Sequence, residues 1–389
     1  MRVSATKTTQ RVERNVYLTS KRIKAYGTSN DYPQKILEIV NASGTGKTCM
    51  DIYVKFVEGA GFLDETLSNT VLNGNGERAD SLLRKFAKDL KNFNGFACLV
   101  KYAGTGLPVE YYNIPFEHCR LEITQAKEYT GRIAVHPDWT SQTGKTFRLD
   151  DVKFIHKFAP EKVIDQIVEA GSPEAYLGQV FYFTSDGDFE YPIAPFDPIV
   201  TDMLTEESVS TVKHRNAKYN FLPAGILVRK GKKANTTANG SYDYTDPVNQ
   251  ENAASADWIV KSQGDMNVSK IWVVDVDGDE EKPEFIDWTP KNYDRQYELT
   301  EKTVQENIGR MFMIPPILRG VDVGAGFGAD LMNNAYDFMN SVTGNERRMI
   351  ETAFRDLLKF YYVKFTNFVV APLKYITPVQ TTTEPITPG

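Results

Sequence analysis

Three stretches of this 389-residue chain bring together residue types whose spacing suggests chemistry. The first, residues 41–48, reads NASGTGKT. In a Walker A loop, G-x-x-x-x-G-K-[ST], backbone N–H groups cradle phosphate, the lysine neutralises it and the hydroxyl holds Mg²⁺. Lys47 and Thr48 would fill those two roles, and Asp275, closing the apolar run IWVVD, would be the carboxylate on the metal. A P-loop NTPase is therefore one reading. Against it, the pattern wants glycine where the chain has Asn41, and the preceding KILEIV carries Lys35 and Glu38, unlike a buried parallel strand. The simpler reading makes NASGTGKT a polar, glycine-containing turn between two helices.

The second stretch, Asp275, Asp277, Asp279, Glu280 and Glu281, has the composition of a calcium loop. An EF-hand loop starting at Asp275 needs glycine at its sixth position and glutamate at its twelfth. Gly278 is fourth and Ile286 twelfth, so the run reads as a solvated acidic turn. The third, Gly324-Ala325-Gly326-Phe327-Gly328, follows a helix and two prolines rather than a strand, which excludes a dinucleotide fingerprint. Its glycines give backbone freedom, and it reads as a loop between helices. The four histidines (His118, His136, His156, His214) lack zinc spacing. His118 and Cys119 are adjacent, and neighbours on a strand point to opposite faces, a poor arrangement for a nucleophile and its base. No catalytic residue, metal or cofactor is expected.

Bulk properties narrow the class. The length fits two or three domains. Hydrophobic residues at 41% and charged residues at 25% are those of a globular protein. No stretch approaches the eighteen or so apolar residues of a membrane span, and no apolar segment follows the charged N-terminus. Three cysteines without a Cys-x-x-Cys pair suggest reduced thiols and synthesis in a cytoplasm. The net charge of −6 argues against a tight nucleic-acid clamp, whose affinity would come from neutralising phosphates. Residues 1–30 are the exception, with seven Lys and Arg against Glu13 alone, and read as a solvated arm.

The positioning elements follow from periodicity. Helices are expected from about Pro33, over CMDIYVKFVEGAGF closed by Gly59 and Gly61, and from Ala79 to Phe93, where Leu82, Leu83, Phe86 and Leu90 share one face. From Gly95 to about Phe183 short strands alternate with turns, as in an antiparallel sheet: FACLVKY, VEYYNIP, CRLEI, GRIAV, TFRL, DVKFIHKF and QVFYF. A mostly polar helix runs from about Pro198 to Tyr219, and a mixed region over 220–292 includes the strand KIWVVDV. A second long helix over 293–313 ends at Ile314-Pro315-Pro316, since proline restricts the residue before it. Beyond the glycine-rich loop, Leu331 to Val342 mark one helix and Ile350 to Phe365 another, before a Thr/Pro-rich tail expected to be disordered. The fold class is α+β.

The order of these parts resembles the portal proteins of tailed bacteriophages. That family's blocks f-x-P-x-G-i-l and I-x-x-x-F-x-I-P-P-x-L-x-G appear as Phe221, Pro223, Gly225, Ile226, Leu227 and as Ile308, Phe312, Ile314, Pro315, Pro316, Leu318, Gly320. The opening Tyr32-Pro33 helix, the G-x-G-F at Gly59, Gly61 and Phe62, and DVKFIHKF around His156 are also similar. The resemblance covers roughly residues 30–365. It carries no phosphate loop, so Gly46-Lys47-Thr48 would be coincidental.

The resemblance implies a portal fold in which a basic arm (1–29) precedes a β-rich wing (30–195). A first stem helix (196–219), an α/β clip (220–292) and a second stem helix (293–313) come next. A tunnel loop (314–330), wing or crown helices (331–372) and the tail (373–389) complete it. Val321, Asp322, Val323, Gly324, Ala325, Gly326, Phe327 and Gly328 would face DNA. Lys213, Arg215 and Lys218 would be sparse basic positions on the stem, free to pair with Glu298, Glu301 or Glu306, and Arg229, Lys230, Lys232 and Lys233 those of the clip. The implied partners are further copies in a closed, dodecameric ring, double-stranded DNA in its channel, the terminase large subunit, a head-tail adaptor, the major capsid protein and a scaffold, with no membrane. The implied site is the capsid vertex of a virion. The enzymatic alternative would be a packaging motor.

Overall fold

The computed structural model describes residues 16–139, 148–187, 189–218, 225–230, 271–276, 284–287, 293–321 and 328–376. They form two compact units, one from residues 1–201 and 308–389 and one from residues 202–307. The mixture of helix and sheet is α+β, as expected.

The first unit opens its helical layer with α1 (Tyr32–Ala42), α2 (Gly44–Glu58), the short α3 (Glu65–Asn69) and α4 (Ala79–Phe93). The 3.6-residue stripe of α4 is what the sequence shows: Leu82, Leu83, Phe86, Leu90 and Phe93 are all buried. Phe86 stacks on Phe96 at 4.6 Å and meets Phe354 at 5.4 Å, so this face joins the helices to the sheet. Asn94 ends α4 in the left-handed conformation, with its N–H on the Leu90 carbonyl. The G-x-G-F motif has a steric origin. Gly59 has φ +61°, and a Cβ there would stand 2.1 Å from the Ala371 carbonyl oxygen. Ala60 donates to that same oxygen and Ala371 donates to Gly61, each at 2.8 Å, so the bare backbone is needed for the close approach of residues 369–371.

The sheet has eight strands: β1 (Tyr17–Leu18), β2 (Ile23–Lys24), β3 (Gly95–Tyr102), β4 (Pro108–Ile114), β5 (Cys119–Ile123), β6 (Tyr129–Val135), β7 (Lys153–Lys157) and β8 (Gln179–Thr184). Their order is β1-β2-β5-β6-β7-β8-β3-β4. Five differences from the expected elements have physical reasons. The arm is not solvated over residues 16–29: Ile23, Lys24, Ala25 and Tyr26 are fully buried and β2 pairs with β5. The Lys24 ammonium is satisfied there by the Phe189 carbonyl at 2.5 Å and by Glu190 at 3.5 Å. The sheet is not wholly antiparallel, because β7 and β8 run parallel. Parallel neighbours need a crossover, supplied by α5 (Val163–Ala170), a helix absent from the expectations. Leu149 of the expected strand TFRL opens a 3-10 turn over Leu149–Asp151. His118 closes another, over Phe116–His118, rather than lying on a strand with Cys119. The last expected helix stops at Leu357, and Tyr361 turns its ring to Tyr111 at 5.7 Å instead.

The second unit contains α6 (Val200–Lys218, which starts in the first unit), β9 (Gly225–Lys230), β10 (Ile271–Val276), β11 (Glu284–Asp287) and most of α7 (Tyr293–Met311). Its sheet has the order β10-β9-β11, with β10 parallel and β11 antiparallel to β9. The chain then returns to the first unit for α8 (Ala329–Val342) and α9 (Gly344–Leu357).

One buried carboxyl gives the first unit a pH dependence. Asp89 on α4 accepts from the Phe116 N–H at 3.3 Å, and burial, aided by the charge of Glu117, pushes its pKa well above the usual range. A raised carboxyl pKa stabilises fully only below the unfolded value of about 3.9, and that contribution is lost as pH rises towards the folded value. Asp89→Asn keeps the acceptor and removes the ionisation. Thermal melts from pH 4 to 7 should show the variant gaining on the wild type with rising pH, by at most about 1.4 kcal/mol per pH unit. A constant difference across that range would refute this account of Asp89.

Candidate functional site

The residues with phosphate-loop spacing do not form a phosphate loop. Only Ser43 separates α1 from α2, and Gly44 to Thr48 are the first turn of α2, not a turn between helices. The element before them is a helix, where a phosphate loop requires a strand. Ser43 caps α2, its Oγ accepting from the Gly46 N–H at 2.9 Å. Lys47 Nζ meets Asp51 one turn on at 2.9 Å, and the Thr48 hydroxyl donates to the Gly44 carbonyl at 2.9 Å. Asp275 lies on β10 in the other unit, in register with Arg229. Asp277, Asp279, Glu280 and Glu281 lie outside the described residues. Cys49, Cys98 and Cys119 are all buried, and burial pushes the thiols of Cys98 and Cys119 well up, away from the reactive thiolate. Burial also lowers the pKa of His118 and His156.

What the structure does bring together is the helix pair of the second unit. Asn307 on α7 donates to Asp202 on α6 at 3.1 Å, and Lys213 forms an ion pair with Glu301. These two contacts make α6 and α7 antiparallel. Lys213 therefore takes Glu301 of the acids expected for it. Arg215 is half-buried and Lys218 exposed, and each has further interactions of its own. Together the two helices carry seven carboxylates against six Lys and Arg, so their charge is nearly balanced. Of the clip positions, Arg229 and Lys230 end β9, while Lys232 and Lys233 lie outside the described residues.

The first residues of α6 and the last of α7 belong to the first unit. Phe196, just before α6, stacks on Phe312, just after α7, with centroids 5.7 Å apart, and both are buried. The Tyr32 hydroxyl bonds Asp197 at 2.8 Å and accepts from the Ala194 N–H at 3.1 Å, fixing the proline-rich approach to α6. On the other side Lys91 lies 5.4 Å from the Phe312 ring and 3.6 Å from the Tyr53 ring. Burial pulls the Lys91 ammonium down to about 8, against the charge of Glu346, whose carboxylate accepts from the Tyr53 hydroxyl at 2.6 Å.

The block from Ile308 to Gly320 is a helix stop. Met313 (φ +53°) donates to the Arg310 carbonyl at 3.0 Å, and Ile314 donates to the Gly309 carbonyl at 3.1 Å. That pair of bonds is a Schellman motif with methionine where glycine is usual. The Arg319 guanidinium lies over Gly309, where a Cβ would stand 2.3 Å from Nη1. A 3-10 turn over Pro316–Arg319 ends at Gly320 (φ +76°). Of the expected DNA-facing loop, Val321 and Gly328 are described and both are exposed, while Asp322 to Phe327 lie outside the described residues.

No protein-family model matches the chain, and no curated protein does. Several solved structures are similar. One is the virion of a native gene transfer agent particle, at 13% identity and TM-score 0.49, covering 85% of this chain and 81% of that one. Another is the neck of the native particle computed with C12 symmetry, at 12% identity, TM-score 0.49 and the same coverage. A third is an HK97-family phage portal protein from Corynebacterium diphtheriae, at 12% identity and TM-score 0.35, covering 77% of this chain and 81% of that one. None of these three reaches a TM-score of 0.5.

The left-handed Met313 is 58% exposed, so its side chain does little to offset its backbone cost. Met313→Gly should stabilise the protein by about 1 kcal/mol, read as a higher midpoint in thermal melts, because glycine enters this conformation without the Cβ clash. An unchanged or lower midpoint would count against the strain.

Proposed function

We propose that this chain is one subunit of a phage portal ring, a structural rather than catalytic protein through which the genome enters and leaves the capsid. One observation carries the reading. The chain leaves a mixed unit on α6, builds a small sheet, and returns on the antiparallel α7, which ends in the Ile-Pro-Pro-x-Leu-x-Gly block at a stacked aromatic foot. That is the order stem, clip, stem and tunnel loop of the resembled family.

In this reading the helix pair lines the channel. A helix of 19 residues is about 28 Å long and would pass about seventeen phosphates of duplex DNA at once. A basic wall would bind such a duplex by releasing its counterions and stall it. Balanced charge, with Lys213 held by Glu301, suits a strand that must slide. Residues 321–328 would reach towards the DNA. Arg229, Lys230, Lys232 and Lys233 would be the basic positions of the clip, where terminase and then a head-tail adaptor dock. Capsid protein and scaffold would surround the ring.

Native mass measurement and negative-stain class averages of the purified full chain test the reading. Closed rings of about a dozen copies are expected. A chain that remains monomeric across the micromolar range, alone and with its capsid protein, would overturn it. Removing residues 324–328 should leave rings intact and lower genome retention in assembled particles. Normal retention would remove the loop from the mechanism.

A further inference from the structure

We propose that neighbouring copies in that ring meet head to tail through two different apolar patches of the first unit. One patch is the outer face of α5, and the other is the aromatic segment after α9. The proposal rests on the ring reading and adds the surfaces that close it.

The first patch is aliphatic with an acidic rim. Helix α5 buries Val163 and Ile167 on its inner side. It also exposes Ile164 (52%) and Val168 (74%), one turn apart on the flank of the same apolar stripe. An apolar stripe wider than the face the first unit covers leaves its edge for a second partner. Leu107 extends the face: its turn leans on α5 so closely that a Cβ on Gly106 would stand 2.7 Å from Ile164 Cδ1. Around it the exposed acids Glu161, Asp165, Glu169 and Glu174 outnumber the single Lys162.

The second patch is aromatic with a basic rim. Phe360 is 44% exposed and Tyr362 is 71% exposed. Leu63 and Val369, both exposed, are joined by the Leu63 N–H on the Val369 carbonyl at 2.9 Å. Here the exposed Arg355, Lys359, Lys364 and Lys374 outnumber Asp356 and Glu65, and the Lys359 ammonium sits 5.4 Å from the Phe360 ring.

Charge selects the occupant. Pairing either patch with its own copy would set a surplus of like charge against the same surplus, which opposes association. Pairing one with the other matches an acidic rim to a basic rim around apolar centres. Such a contact between unlike surfaces is heterologous, and a heterologous contact repeated through a closing rotation gives a ring. Neither patch can be saturated in a free copy, which accounts for so much apolar surface on one unit.

Charge reversal tests this on the full chain. One variant carries Asp165→Lys with Glu169→Lys, and a second carries Lys359→Glu with Lys364→Glu. All four positions are exposed, and circular dichroism checks that the fold is kept. At 0.1 M salt each variant alone should associate at least tenfold more weakly than the wild type. Their equimolar mixture should recover rings of alternating variants, because the two intact patches match each other and so do the two reversed ones. A chain with all four reversals should recover rings. Val168→Cys mixed with Tyr362→Cys under copper–phenanthroline oxidation should give mixed dimers and not symmetric ones; the native cysteines are buried and stay silent. Rings from the wild type and equally from each single-patch variant would overturn these surfaces and leave the ring standing. A wild type that does not associate, with a pair of cysteine variants that gives no mixed cross-link, would remove the ring, and the surfaces with it.

Discussion

The Phe196–Phe312 stack closes the base of the inserted unit. The second unit, residues 202–307, lies between them in the chain, and its two ends must be held together for α6 and α7 to run side by side. Closing so long a loop costs entropy that grows only slowly with its length, so one firm clamp at the base can serve an insertion of this size. The clamp is aromatic and buried, and its surroundings fix it from both sides: Tyr32 through Asp197 and Ala194, and Lys91 over the Phe312 ring. The Schellman stop one residue beyond Phe312 then turns the chain sharply, so the return path is set within a few residues of the ring that anchors it.

The segment that leads to that base is tied into a buried polar hub that no periodicity announces. Arg120 is fully buried, and its donors reach the Asn30 side chain at 2.6 Å and the carbonyls of Asn30, Glu117 and Cys119 at 2.8–2.9 Å. Burial lowers its pKa, and the hydrogen bonds compensate the desolvation by supplying acceptors where water is absent. Tyr26 stacks on Tyr191 at 4.2 Å, and the Tyr26 hydroxyl donates to the Pro192 carbonyl at 2.5 Å, so the hub reaches the segment that leads to Phe196. Glu122, equally buried, is held by Arg22 at 2.5 Å and Arg132 at 2.6 Å. The basic residues near the N-terminus are thus in part structural: Arg22 and Lys24 neutralise buried or half-buried partners instead of waiting for nucleic acid.

Much of the fold was legible where one physical rule dominates. The stripe of α4, the two long helices and the Pro-Pro stop follow from period and from proline's missing donor. The misses share a cause, which is that distant partners decide them. Strands β1 and β2 are two residues each, too short for any alternation, and exist because β5 offers them an edge. Helix α5 is eight residues long, and its pairs Val163–Ile164 and Ile167–Val168 carry a helical period that was there to be read; the parallel β7–β8 pairing requires it. The NASGTGKT turn was misplaced by a few residues because Ser43 caps the helix one position before the glycines, and a cap signal was there to be read. In the candidate site, the Phe196–Phe312 foot could not be seen from spacing, since its members stand more than a hundred residues apart.

The chemistry of the helix pair and its separation from the core are linked. A helix whose buried positions are few, as with Met203, Val209 and Val212 on α6, gains little from burial and must draw its stability from its neighbours and its base. That leaves its remaining surface free to be polar, and acids and bases are nearly equal in number along the helix pair. An amphipathic α6 with a broad apolar stripe would have packed tightly but left fewer positions for charged side chains. The aromatic foot and the charge-balanced helix surface are therefore two sides of one arrangement: the foot holds the helix ends, so few positions between them need be apolar.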